Sequence, residues 1–165
     1  MRAALRAPWP GLEITPLPAP AGLDLVVGWT GEAASTPLLV ADVRARRGRP
    51  SYERFRTESD RVVGGLTTGL AGGDPAAVLT AVRAARRLLA DLGRTLGVAI
   101  ETPALARLCA AAETVGAAAK SSGAGGGDCG IALVPDGTDL DPMLAAWAEA
   151  GIDRLPLTVE ARMMD

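Results

Sequence analysis

The segment Lys120-Ser121-Ser122-Gly123-Ala124-Gly125-Gly126-Gly127-Asp128-Cys129-Gly130 places five glycines in the eight positions from Gly123 to Gly130. Such a stretch presents bare main chain where other loops present side chains. Successive N–H groups in a glycine-rich turn can converge as a nest around an anion, and glycine reaches the positive φ values which that geometry demands. The chemistry this composition suggests is the holding of a phosphate. Lys120 is the sole lysine in a chain with 17 lysine and arginine residues, so a compact, rotatable ammonium stands beside the loop.

Competing motifs fail on context. Gly125 to Gly130 matches G-x-G-x-x-G letter for letter, but the dinucleotide fingerprint needs a strand before the loop and a helix after it, and the hydrophobic pattern here predicts the reverse. The Walker pattern fails because Lys120 precedes the glycines and no G-K-[ST] occurs. A plain helix stop would need one glycine, so five of them, with Ser121 and Ser122, favour a ligand-facing loop. Lys120 either neutralises phosphate charge or completes a helix against its dipole. Asp128 either assists a metal or hydroxyl or bonds neighbouring backbone in a turn, the second being preferred. A second cluster, Gly28-Trp29-Thr30-Gly31-Glu32-Ala33-Ala34-Ser35-Thr36, leads from a strand end into a helix start, where anions are attracted. The simpler account makes Thr36 a helix cap and Trp29 a core residue.

The elements that must position these residues follow from periodicity. Leu12 and Ile14 alternate with polar neighbours, as do Leu23, Leu25, Val27 and Trp29, which predicts two strands separated by a proline-rich loop. Thr36-Pro37, Asp74-Pro75, Thr102-Pro103 and Asp141-Pro142 each predict a capped helix start. Helices are expected from Pro37 to about Arg47, after Pro50, and over the 4,3,4,3,4 stripe Val78, Val82, Ala85, Leu89, Leu92, Leu96. A further helix carries Leu105, Leu108, Ala112, Val115 and Ala119 up to the glycine loop. The helix after Pro50 contains Gly64, Gly65 and Gly69, read as close-packing positions. Cys129 to Val134 is then a strand, Pro135-Asp136-Gly137 a turn, Pro142 to Ala150 a helix, and Arg154 to Glu160 a strand with Leu155, Leu157 and Val159 inward. Strands at both ends around helices imply an α+β fold, one antiparallel sheet covered by helices on one face.

Composition narrows the function classes. With 165 residues and 48% hydrophobic content, residues 1–165 suit a single domain with a real core. A net charge of −2, with three Trp, one Tyr and one Phe, argues against nucleic acid as a partner. Without histidine, and with Cys109 and Cys129 in no C-x-x-C pair, the usual zinc sites and general bases are missing. Both cysteines read as inert core thiols in a reducing compartment. No signal peptide or membrane-spanning run is visible, so a cytoplasmic location and no membrane partner are expected.

The loop with Ile131-Ala132-Leu133, taken together with Val27-Gly28-Trp29-Thr30-Gly31 and Ala34-Ser35-Thr36, resembles bacterial-type phosphomevalonate kinases of the GHMP kinase superfamily. The first group resembles that family's third motif and the second its strand-to-helix segment. The resemblance spans nearly the whole chain. It implies a ferredoxin-like GHMP kinase C-terminal domain, with Ser122, Gly123 and Ala124 at the phosphate of the phosphomevalonate acceptor. Lys120, Ser121 and Gly125 complete that substrate-phosphate site, and Gly126, Gly127 and Asp128 support the loop. The reaction implied is transfer of the γ-phosphoryl group of ATP to phosphomevalonate, giving diphosphomevalonate in isoprenoid synthesis.

The family's ATP loop, catalytic lysine and catalytic aspartate belong to an amino-terminal domain that is not recognisable here. No catalytic residue or metal ligand is therefore assigned. ATP and Mg²⁺ are expected for the full enzyme and not for this chain alone, which reads as a carboxyl-terminal half, inactive alone, whose partners are a phosphorylated small molecule and a missing amino-terminal half. Two other readings use the same residues: a non-catalytic sensor of a phosphorylated metabolite, and an interaction domain with an open sheet face.

Overall fold

The computed structural model describes residues 14–34, 40, 41, 43–45, 48–123, 125–157 and 159. Strand β1, Leu23–Trp29, is followed by helices α1, Pro50–Gly72, α2, Pro75–Leu96, and α3, Pro103–Thr114. Strands β2, Ala118–Ser121, and β3, Cys129–Pro135, helix α4, Asp141–Glu149, and strand β4, Asp153–Leu155, complete the order. The sheet is antiparallel in the order β2-β3-β1-β4. Leaving out α1 and α2, the path is β-α-β-β-α-β, the split ferredoxin-like arrangement. The α1–α2 hairpin is an insertion between β1 and α3.

Register sorts side chains onto two faces. Leu25 pairs with Leu133, Val27 with Ile131, and Ile131 with Lys120, so these share one face; Val26, Gly28, Ala119, Ser121, Gly130 and Ala132 lie on the other. The second face packs under α3 and α4 in a core built around Leu108, Cys109, Met143, Trp147 and Ile152. Its closest approach is at the cross-strand pair Gly28 and Gly130. A Cβ on Gly28 would lie 2.8 Å from the Trp147 ring, and one on Gly130 would lie 2.7 Å from Leu108. Glycine at this pair lets the helix layer settle directly on the sheet. The Trp147 indole also donates to the buried Leu108 carbonyl at 3.0 Å, which joins α4 to α3.

The α1–α2 hairpin joins the first face. Val78, Leu79 and Val82 pack with Leu23, Ala118 and Leu133, and the remaining space is an apolar groove of about 520 Å³ lined in part by Leu25, Leu66, Leu70, Ile131 and Lys120. Helical cover on one face, by α3 and α4, is thus the ferredoxin-like part, and the insertion adds to the opposite side.

Capping explains the helix limits. The Asp74 carboxylate accepts from the Ala77 amide at 3.0 Å, and Gly97 closes α2 in the left-handed conformation. Thr102 caps α3 through the Leu105 amide. At α4 the expected cap is displaced: Asp141 lies in the first turn, Leu140 is the N-cap, and Asp139 accepts from the Asp141 amide. Of the glycines in α1, Gly69 is a close-packing position, with Ala77 and Val78 atoms 3.2 Å from a built Cβ, whereas Gly64 and Gly65 face open space.

Four further expectations are corrected. The helix predicted to reach the glycine loop stops at Thr114, because Gly116 turns the chain at φ 83 and Ala118–Ser121 pairs with β3 instead. Ile14 and Thr15 form no strand; Leu12 and Glu13 lie outside the described residues. The last strand ends at Leu155, and Leu157 and Val159 are exposed rather than inward. Trp29 is 37% exposed and is not a core residue. The helix expected from Pro37 to Arg47 is described only in part, with Val40, Ala41, Val43 and Arg44 helical; Pro37, Ser35 and Thr36 lie outside the described residues.

Candidate functional site

The glycine loop is the tip of a hairpin. Ser121 pairs with Gly130, and the Ser122 amide donates to the Cys129 carbonyl at 2.9 Å. Beyond that pair the loop is held from outside. The Gly126 amide donates to the Ile100 carbonyl at 2.9 Å, and the Asp128 amide donates to the Glu32 carbonyl at 2.6 Å. The Asp128 carbonyl accepts twice from Thr30, from its amide at 2.9 Å and its hydroxyl at 2.8 Å.

Glycine is required at two of these points. Gly125, at φ 84, lies so close to Ile100 that a Cβ would enter the Ile100 carbonyl, and Gly127, at φ 127, would place one 3.1 Å from the Glu32 carbonyl. Asp128 has φ 62, the one positive value among the described non-glycine residues. A short polar residue tolerates that left-handed conformation better than most. Its main chain carries the anchoring bonds, but the bond expected from its carboxylate to neighbouring backbone does not form among the described residues; the carboxylate is exposed and accepts from the Cys129 thiol at 3.6 Å.

An inward-pointing nest across the whole segment is not what forms, because the amides of Ser122, Gly126 and Asp128 are engaged within the fold. Among the described residues no acceptor meets the amides of Gly123, Gly125 or Gly127. Ser122 and Gly123 are exposed, and a Cβ on Gly123 would meet nothing within 4 Å. The accessible bare backbone is therefore the Ser122–Gly123 arm, next to Ala124, which lies outside the described residues.

Lys120 and Ser121 do not stand together. As neighbours on β2 they face opposite sides of the sheet. Ser121 is buried on the α3 side at 7% exposure. Lys120 lies on a strand, not at a helix end, so the dipole role falls away. Its stem runs along the apolar groove and its ammonium donates to the Ser121 carbonyl, with no carboxylate partner among the described residues. Burial holds its pKa below the ordinary lysine range.

The cysteines differ. Burial pushes the fully covered Cys109 thiol up to about 12. Cys129 is only half-buried, and burial followed by the neighbouring Asp128 raises its pKa too. No group of three His, Cys, Asp or Glu side chains among the described residues is placed to hold a metal ion. Thr30, Glu32 and Ile100, the anchors of the loop, were not singled out individually by sequence. Only the inclusion of Thr30 and Glu32 in the segment after β1 pointed toward them.

Comparison with known proteins agrees with this architecture. Residues 75–153 match the family described as GHMP kinases C terminal. The phosphomevalonate kinase of Streptomyces sp. (strain CL190) is 49% identical over 158 residues, covering 93% of this chain and 42% of that protein. A crystal structure of the Lin0012 protein from Listeria innocua superimposes with a TM-score of 0.86 at 34% identity, over 98% of this chain and 46% of the other. Streptococcus pneumoniae phosphomevalonate kinase, in complex with phosphomevalonate and AMPPNP, gives a TM-score of 0.78 at 34% identity, over 93% and 44%. The chain spans less than half the length of these relatives, and the resemblance to the carboxyl-terminal half of phosphomevalonate kinases is borne out. No helix among the described residues is long and apolar enough to cross a membrane.

Proposed function

From a chain that has the GHMP kinase carboxyl-terminal fold and matches the corresponding half of phosphomevalonate kinases, we propose that its work is to hold the phosphorylated acceptor of a phosphoryl transfer. The observation that carries this reading is the exposed Ser122–Gly123 arm, open in front and anchored behind. The acceptor is phosphomevalonate, the compound bound by the S. pneumoniae relative. Its phosphate lies against Ser122, Gly123 and Ala124, with Gly125 behind the arm and Gly126, Gly127 and Asp128 keeping it in place. Lys120 lends positive charge from the sheet, and Ser121 fixes the strand end.

In the complete reaction an oxygen of the acceptor phosphate bonds to the γ-phosphorus of ATP as the bond from that phosphorus to the bridging oxygen of ADP breaks. Catalysis in such chemistry is chiefly positioning and charge stabilisation, which a rigid backbone arm is suited to provide. ATP and Mg²⁺ are engaged by the part of the relatives that this chain does not span, in the cytoplasm, and the chain alone does not turn over.

Two measurements on the purified chain test this reading. Phosphomevalonate should shift the amide resonances of Ser122 and Gly123, and a coupled ADP-release assay with ATP, Mg²⁺ and phosphomevalonate should stay flat. Unmoved loop resonances refute acceptor binding, while clear turnover refutes the half-enzyme reading.

A further inference from the structure

Glycines leave a loop without conformational preference of its own, so the direction of the Ser122–Gly123 arm must be set by bonds from elsewhere. Three such connections are present: Ile100 to Gly126, Glu32 to Asp128, and Thr30 to Asp128. The first two use backbone carbonyls. Thr30 is the one described anchor that acts through a side chain.

The Thr30 hydroxyl does not duplicate its amide. The amide alone, at 2.9 Å from the Asp128 carbonyl, maintains the backbone contact. The hydroxyl, at 2.8 Å, occupies the second acceptor position of the same oxygen. With both taken, the peptide plane after Asp128 cannot rotate without losing a part-buried bond. That plane joins the left-handed Asp128 to the start of β3, where the loop would otherwise swivel. Thr30 is itself only 9% exposed, so water does not readily replace the bond.

We propose that Thr30 is a positioning residue for the phosphate arm, touching no substrate and acting through the Asp128 carbonyl. This rests on the acceptor-binding reading above. Thr30→Val keeps the shape and removes the hydroxyl, and Thr30→Ser keeps the hydroxyl. Wild type and both variants of the 165-residue chain are titrated with inorganic phosphate and with phosphomevalonate, following the Ser122 and Gly123 amide resonances. Hydrogen exchange at Gly126 and Asp128 is measured without ligand.

Thr30→Val should speed exchange at both amides roughly three- to tenfold and weaken binding by a similar factor, the weight of one buried hydrogen bond. Thr30→Ser should restore both. Wild-type binding with an unchanged Thr30→Val affinity overturns the role of Thr30 alone, as does a Thr30→Ser variant no better than Thr30→Val. Absence of any wild-type shift overturns the acceptor-binding reading and with it the positioning role, and exchange then reports only whether the anchor itself exists.

Discussion

Gly125→Ala tests most directly whether the loop is seated as described. At φ 84 an alanine bears the left-handed penalty of about 1–2 kcal/mol. Its methyl group would also enter the Ile100 carbonyl and lie 2.8 Å from Ile100 Cγ2. The loop can relieve that overlap only by withdrawing, which breaks the bond from the Gly126 amide to Ile100 and adds about 0.5–1.5 kcal/mol. A total of about 1.5–3.5 kcal/mol is expected from these two costs. It is bounded from above, because a loop that leaves its seat still ends in the paired strands β2 and β3. Urea denaturation should show the midpoint falling with little change in slope, and exchange at Gly126 should accelerate more than exchange in α2. Gly123→Ala is the control, since it meets no atom within 4 Å and has no positive φ, and it should stay within about 0.5 kcal/mol of wild type. Equal stabilities of the two alanine variants would refute the seating of Gly125 on Ile100.

Other parts of the fold can be tested by substitution too. Gly28→Ala places a methyl group 2.8 Å from the Trp147 ring and 2.9 Å from Leu108, and should cost about 1–3 kcal/mol by overpacking; a melting temperature equal to wild type would contradict the close approach of the helix layer. Arg86 bridges Glu101 at 2.8 Å and Glu113 at 2.7 Å, its charge reinforced first by the Glu101 hydrogen bond. Arg86→Gln should lower stability by about 1–3 kcal/mol, read by chemical denaturation, with an unchanged midpoint counting against it. Lys120 has its folded pKa below the ordinary value, so the unfolded chain keeps the extra proton between the two values, and stability rises as pH climbs toward about 10.4. Lys120→Met should remove that rise, and wild-type and variant curves that stay parallel as pH climbs toward the unfolded lysine value would exclude it. A thiol-alkylating reagent should modify Cys129 before Cys109, which is fully covered, as peptide mapping after partial reaction would reveal.

The parts of the fold legible in sequence are those whose signals are local. The α2 stripe, the Asp74 and Thr102 caps and the Gly97 stop each depend on neighbours within one or two helical turns, and each is found where expected. Strand β2 was not legible because Ala117, Ala118 and Ala119 suit a helix as well as a strand. What decides between them is the turn at Gly116 and the pairing partner Ala132, which lies beyond the loop. The glycine loop announced itself by composition, but its anchoring did not. Ile100 and Glu32 act through backbone carbonyls, which no side chain advertises, and Thr30 stands 98 residues from the atom it holds. The α1–α2 hairpin was visible as two helices, while its place as an insertion became clear only once the strand order was known.

The inserted hairpin leaves the sheet framework just after Glu32 and returns to it at Ile100, and the hairpin tip between β2 and β3 bonds to both residues. The two roots of the insertion are thereby sutured to one another through a third piece of chain. The far end of the hairpin is fastened as well, since Val78, Leu79 and Val82 at the start of α2 rest on Leu23, Ala118 and Leu133, so any change in the length of these helices has to preserve that seat together with the two roots.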